Sequence, residues 1–191
     1  MTQRTEAMKG VDTKEMEMVA REEDVSGEWL RKRIASGQVV IPANRNHHGL
    51  QAKGIGEGLR IKVNTNLGTS PEHIDLEEEL KKLEVAIQAG TDTVMDLSTG
   101  GDIGSIRREI LRHAPIPVGT VPIYEAAVEA ANNRKGLANM RAEDLFEVIE
   151  RQAEEGVDFM TVHCGVTRNS VERLRRNPRI MGVVSRGGSF L

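Results

Sequence analysis

Five short strings of this sequence gather side chains able to hold a small anionic ligand, and each stands where an apolar run ends. Asn66 sits in Asn64-Thr65-Asn66-Leu67-Gly68-Thr69-Ser70, and Met95 opens Met95-Asp96-Leu97-Ser98-Thr99-Gly100-Gly101. Tyr124 closes Gly119-Thr120-Val121-Pro122-Ile123-Tyr124, and His163 lies in Thr161-Val162-His163-Cys164-Gly165. The last string is Ser185-Arg186-Gly187-Gly188-Ser189. There the glycines free backbone N–H groups to approach an anion, Arg186 supplies a forked positive charge and Ser185 a hydroxyl, a set that suits a phosphate or ribose. Alone, such a string is more commonly an ordinary glycine turn with a solvated arginine; its place after an apolar run is what raises it.

The other candidates have structural readings beside the functional ones. His163 could act as a general base, a donor to substrate or a metal ligand, although a lone histidine is more often a satisfied structural residue. No second ligand stands at metal-binding spacing, so no metal residue is assigned. Tyr124, the only tyrosine, could bind a ligand oxygen or be buried with a structural hydrogen bond. Met95 reads equally as core packing, Asn66 as a turn residue, and Asp96 as a cap for its loop. His47 and His48 are too close in sequence to chelate one metal from a regular element, and solvent or interdomain contacts suit them better.

Composition removes several classes of function. The 191 residues are 38% hydrophobic, enough for a sizeable core in one domain or a large piece of one. Their net charge of -3 comes from 26 basic and 29 acidic residues with no long block of either sign, which gives no electrostatic case for nucleic acid or an anionic membrane. Aromatic residues are only 3%, against base-stacking platforms. No apolar run approaches the ~20 residues of a membrane span, so a cytoplasmic protein is expected. Cys164 is the only cysteine, which rules out an intrachain disulfide, a four-cysteine zinc site or an iron–sulfur cluster held by these residues.

The elements that must position these strings alternate regularly. Thr13 and Ser26 are N-cap residues for two short helices, over residues 14–22 and from Ser26 to a stop at Gly37, the second with Trp29, Leu30 and Ile34 on one face. A strand-like run at 39–42 and a polar stretch at 43–58 complete an N-terminal extension. Strands are expected at 59–66, 93–97, 117–120, 159–164 and 180–184, with helices at 75–89, 103–113, 124–132, 142–155 and 169–176. Gly90-Thr91-Asp92 and Gly156-Val157-Asp158 both join a helix end to a strand, an internal echo of one turn.

Strands separated by helices run parallel and need covered faces, which gives an α/β class. No Gly-x-Gly-x-x-Gly follows the first strand, so a (β/α)8 TIM-type barrel is preferred over a dinucleotide-binding sheet. About five β/α units fit into residues 59–191, after an extension of residues 1–58; a complete barrel has eight. Further sequence or another chain is expected to supply the rest, because exposed strand edges are a liability. Barrel ligands bind at the C-terminal strand ends, where all five strings fall.

Together the strings Ile41-Pro42-Ala43-Asn44-Arg45-Asn46-His47, Val94-Met95-Asp96-Leu97-Ser98-Thr99-Gly100, Gly119 to Tyr124 and Val184 to Ser189 closely resemble the phosphomethylpyrimidine synthase family of thiamine biosynthesis, often called ThiC. The resemblance runs from about Gly10 to the last residue. It implies a radical S-adenosylmethionine lyase, typically a homodimer, that converts 5-aminoimidazole ribonucleotide into 4-amino-5-hydroxymethyl-2-methylpyrimidine phosphate. It also implies a barrel that binds the ribonucleotide and a zinc ion, and a C-terminal segment whose three cysteines ligate a [4Fe-4S] cluster. Substrate contacts carry over by motif onto Asn66, Met95, Tyr124, His163, Ser185, Arg186 and Gly187.

The cluster cysteines, the family's zinc histidines and its Asp-Gly-x-Arg phosphate loop have no match in these residues, so a truncated, by itself inactive form is expected. Three other readings stand beside this one: the paralogous synthase that makes 5-hydroxybenzimidazole for cobamides, a non-catalytic ribonucleotide-binding fragment, and an unrelated phosphosugar aldolase-type barrel. Against the last, no lysine sits at a strand end to form a Schiff base.

Overall fold

A computed structural model describes residues 2–132 and 136–190. Three helices open the chain: α1 (Gln3–Met8), α2 (Lys14–Glu22) and α3 (Gly27–Ser36). Thr2, Thr13 and Ser26 each accept a hydrogen bond from the backbone N–H three residues on, and Gly37 in the left-handed region ends α3. The helices capped by Thr13 and Ser26 lie where those residues predicted; α1 was not expected from the sequence. A short antiparallel pair follows, β1 (Val39–Val40) with β2 (Ile55–Gly56). Met16, Val19, Leu30, Ile34 and Val39 bury one another in a core that belongs to this extension.

The remainder is α/β. Strands β3 (Asn64–Leu67), β4 (Thr93–Asp96), β5 (Val118–Thr120) and β6 (Phe159–Met160) form one parallel sheet in that order. Helices α4 (Leu76–Gln88), α5 (Ile103–His113), α6 (Pro122–Asn132) and α7 (Ala142–Glu155) connect them, and α8 (Arg168–Arg176) follows β6. Alternation along each strand sends Leu67, Val94, Val118 and Met160 to a core with Leu83 of α4 and Ile106, Ile110 and Leu111 of α5. No helix among the described residues is long and apolar enough to cross a membrane.

Two expectations about strands need correction. The first strand is shorter than 59–66, because Ile61 and Val63 alternate like a half-buried strand yet are 88% and 58% exposed. The run at 180–184 is not a strand. It turns at Gly182, and Ile180, Met181, Val183 and Val184 are all exposed. Since β6 keeps only two ladder residues before leaving with a last bond, Thr161 N–H to the Thr120 carbonyl, no edge runs beside 180–184. An unpaired strand gains neither ladder hydrogen bonds nor a covered face. Among the described residues the parallel sheet therefore has four strands, not the five that the sequence pattern predicts.

The repeated Gly-x-Asp turn has a clear physical role. Gly90 and Gly156 take positive φ, which a glycine adopts without steric cost. Asp92 N–H then donates to the Val63 carbonyl while the Asp92 carboxylate accepts from Val63 N–H at 2.8 Å. Asp158 and Val118 make the same reciprocal pair, also at 2.8 Å from amide to carboxylate. Each aspartate thus pins the entry of its own strand to the entry of a neighbour. Each also holds a cation: the Arg60 guanidinium on Asp92, and His47 on Asp158 at 2.6 Å.

Of the solvent or interdomain contacts expected for His47, the solvent one is not made: the residue is buried against Asp158 and Ala114. Its Nδ1 faces Asp158 and its Nε2 faces the Ala114 carbonyl at 2.8 Å. Both partners accept, so the doubly protonated ring satisfies both, whereas either neutral tautomer sets a lone pair against an acceptor. Burial opposes the charge, but the Asp158 hydrogen bond and charge, with the Ala114 and Leu111 carbonyls, outweigh it and raise the pKa above 6.5. Protonation therefore adds stability that is complete below the unfolded-state pKa and lost as pH rises through the higher folded-state value. Urea midpoints of the parent are expected to fall from neutral pH upward, and His47→Gln should remove that slope; an identical slope in both would refute the assignment.

Candidate functional site at the strand ends

Five of the seven expected residues come together. His163, just beyond β6, places Nε2 2.7 Å from Ser185 Oγ. Ser185 caps a single helical turn, α9 (Arg186–Ser189), by accepting from Gly188 N–H at 3.2 Å. The loop expected to offer free glycine amides is thus a helical turn in which the Gly188 amide is already engaged. Gly187 is buried flat against the imidazole: a Cβ there would lie 2.2 Å from His163 Cε1 and 2.6 Å from each ring nitrogen. His163 Nδ1, on the other side of the ring, is a buried nitrogen that has no hydrogen-bond partner among the described residues.

Arg186 joins this group to Tyr124. Its guanidinium stacks 5.6 Å from the Tyr124 ring centroid, a cation–π arrangement, and Phe190 meets the same ring edge-on at 6.3 Å. The charged fork is exposed and has no carboxylate partner among the described residues. Phe190 was not singled out from sequence, although an aromatic directly after a glycine-rich string was a usable signal.

Asn66 and Met95 lie apart from that cluster but beside each other. They are register partners on β3 and β4, on the sheet face opposite the helix-covered core, and the row continues through Gly119 of β5 to Phe159 of β6. The lack of a side chain at Gly119 lets the Phe159 ring lie across it; a Cβ would fall 2.3 Å from that ring. Asn66 is exposed and accepts from Asn64 Nδ2 at 3.0 Å. Met95 Sδ is 4.0 Å from Thr161 Oγ1, two residues before His163, which is the link between the two sets.

The neighbouring loops are held from below. Asp96 caps its loop as expected, its Oδ1 accepting from Ser98 N–H at 3.0 Å and Ser98 Oγ at 2.5 Å. Burial raises its carboxyl pKa despite those bonds. Thr69 N–H donates to Ser98 Oγ at 3.2 Å and Thr69 Oγ1 to the Gly100 carbonyl at 2.7 Å, and buried Glu79 accepts from Gly68 N–H at 2.7 Å. Together these tie the loop after β3 to the loop after β4. Among the described residues no group of three or more His, Cys, Asp or Glu could hold a metal ion, and Cys164 is exposed. What the arrangement can do chemically is bind an anion at Arg186 and orient oxygen or nitrogen functions at Ser185, His163 and Tyr124.

Comparison with known proteins places these strand ends in a family. A phosphomethylpyrimidine synthase of Moorella thermoacetica is 58% identical over 191 residues, one of Thermus thermophilus 55% over 192, and one of Methanococcus maripaludis 53% over 191. Each comparison takes in all of this chain and 44% or 45% of the relative, so the chain spans less than half the length of these curated relatives. The sequence model of the Radical SAM ThiC family matches residues 2–191, through the extension, the sheet and all five strings, and the chain belongs to that family.

Proposed function

We propose that this chain supplies the ribonucleotide-binding part of a phosphomethylpyrimidine synthase, the thiamine-biosynthesis enzyme that turns 5-aminoimidazole ribonucleotide and S-adenosylmethionine into 4-amino-5-hydroxymethyl-2-methylpyrimidine phosphate. The observation that carries the reading is the convergence of Tyr124, after β5, and His163, after β6, with Ser185, Arg186 and Gly187 of the single helical turn α9. In it Arg186 binds the phosphate, Ser185 and the His163 ring orient the ribose, and Tyr124 faces the ligand across the guanidinium. Asn66 and Met95 line the adjoining sheet face.

The whole enzyme in this reading is a cytoplasmic homodimeric carbon–carbon lyase, with residues 59–191 forming the first part of a (β/α)8 barrel after the 1–58 extension. A [4Fe-4S] cluster, S-adenosylmethionine and zinc belong to that whole enzyme. The residues of this chain do not fit the cluster, since one exposed cysteine cannot replace the several thiolates that hold such a group. What these residues contribute is binding and orientation.

Calorimetry with 5-aminoimidazole ribonucleotide tests the assignment. Arg186→Ala removes a charged hydrogen bond worth ~1.5–3 kcal/mol, so affinity should drop roughly tenfold to a hundredfold. Affinity equal to that of the parent would sink it.

A further inference from the structure

Outside the ligand cluster, one connected group of buried polar side chains, Thr120, Gln152 and Glu125, leads to a buried guanidinium. Arg107 of α5 is 1% exposed, and it donates from Nε to Glu155 Oε2 at 2.6 Å and from Nη1 to Glu125 Oε2 at 2.7 Å. Glu125 Oε2 also accepts from Gln152 Nε2 at 2.6 Å, and Gln152 Oε1 accepts from Thr120 Oγ1 at 2.6 Å. Arg151 adds a bond to Glu125 Oε1 at 3.2 Å. The bonds run from the last residue of β5, through α7, to the first turn of α6 and on to α5. Burial works against both charges, but their pairing and hydrogen bonds hold the Glu125 carboxyl below, and the Arg107 guanidinium above, their ordinary pKa values.

A buried ion pair is a poor device for stability alone, since well-packed apolar residues generally do as well. This one instead fastens both ends of the turn formed by residues 120–125. Tyr124 immediately precedes Glu125, and successive side chains on a helix point ~100° apart. Fixing Glu125 toward α5 and α7 therefore fixes where Tyr124 points: toward Arg186 and Phe190.

We infer that Glu125, gripped by Arg107 and Gln152, is a positioning residue that sets the rotation of the first turn of α6 and so aims the Tyr124 phenol into the ligand site. The inference rests on the reading of Tyr124 as a ligand-facing residue. Sequence gives no hint of it, because the partners of Glu125 lie on two other helices.

The full chain provides its own probe, since Tyr124 is the only tyrosine and Trp29, in the extension, the only tryptophan. The Tyr124→Phe spectrum defines the tyrosine band in near-ultraviolet circular dichroism. Glu125→Gln, which removes the charge and keeps the shape, is expected to change that band with the far-ultraviolet spectrum intact, and to weaken 5-aminoimidazole ribonucleotide binding roughly tenfold, the scale expected when a contact is misaimed. Gln152→Ala should reproduce both effects. A lower Tm with an unaltered tyrosine band would show the network to be structural only and overturn the inference. If Tyr124→Phe binds as tightly as the parent, the ligand-facing reading fails, while the tyrosine band of Glu125→Gln still decides the positioning. Should Glu125→Gln fail to fold, Thr120→Val cuts the far end of the network without touching a charge and carries the same readout.

Discussion

Replacing Asp158 with alanine is expected to cost ~3–5 kcal/mol of folding stability, the scale for removing one partner of a buried ion pair. Its carboxylate is fully enclosed and serves three groups: His47 Nδ1 at 2.6 Å, Val118 N–H at 2.8 Å and Asn44 N–H at 2.8 Å. Truncation leaves all three unpaired, two of them the buried His47 ring and the Val118 amide, and it removes one of the ties between the 44–51 segment and the base of the sheet. Against a total stability of typically ~5–15 kcal/mol, that is a large share. The equivalent change at Asp92 provides the control. Asp92 is also buried, but its cation partner, Arg60, is 54% exposed at the side chain and can turn to solvent. Asp92→Ala should then cost mainly the orphaned Val63 amide, ~1–3 kcal/mol. Urea unfolding of both variants decides the matter: equal losses would mean that the His47 pairing contributes nothing beyond the shared turn.

These two aspartates also show what the sequence could and could not disclose. The turn itself was legible, because Gly-x-Asp occurs twice at helix-to-strand junctions and glycine at positive φ has a local cause. Helix ends at Thr13, Ser26, Asp75, Gly37 and Gly90 were legible for the same reason: a cap acts on residues three or four positions away.

Long-range pairing was not legible. His47 and Asp158 are 111 residues apart, and nothing local to either names the other. The grip of Arg107 on Glu125 depends on the rotation of three helices, which periodicity fixes only to the width of an apolar stripe. The strand run at 180–184 failed differently: alternating apolar residues state a propensity, and pairing requires an edge that the short β6 does not extend to them. Four of the five site strings follow strands, as expected; the fifth follows the unpaired run at 180–184, and its single helical turn at Arg186–Ser189 was read as an open loop. Its two glycines disfavour a helix, and only the Ser185 cap makes one turn of it worthwhile.

That turn makes Gly187 the position where the smallest change should have the largest effect on binding. Adding one methyl group with Gly187→Ala drives Cβ into the His163 ring, 2.2 Å from Cε1, far inside any real carbon contact. The backbone at Gly187 is held by the Ser185 cap and by Phe190 N–H at 3.3 Å, so the ring is what yields. Its departure breaks the 2.7 Å bond to Ser185 and displaces both groups that orient the ribose in the proposed site. A displacement of about 1 Å in a positioning group can reduce activity roughly a hundredfold, and a loss of that order in affinity for 5-aminoimidazole ribonucleotide is expected here. Global stability should hardly change, because Ser185 and Arg186 are exposed and α9 lies outside both buried clusters. Histidine nuclear magnetic resonance separates this from general damage. The His163 signals should shift while those of His47, buried at the base of the sheet, stay in place. Unchanged affinity with a displaced His163 would remove the imidazole from the ligand site.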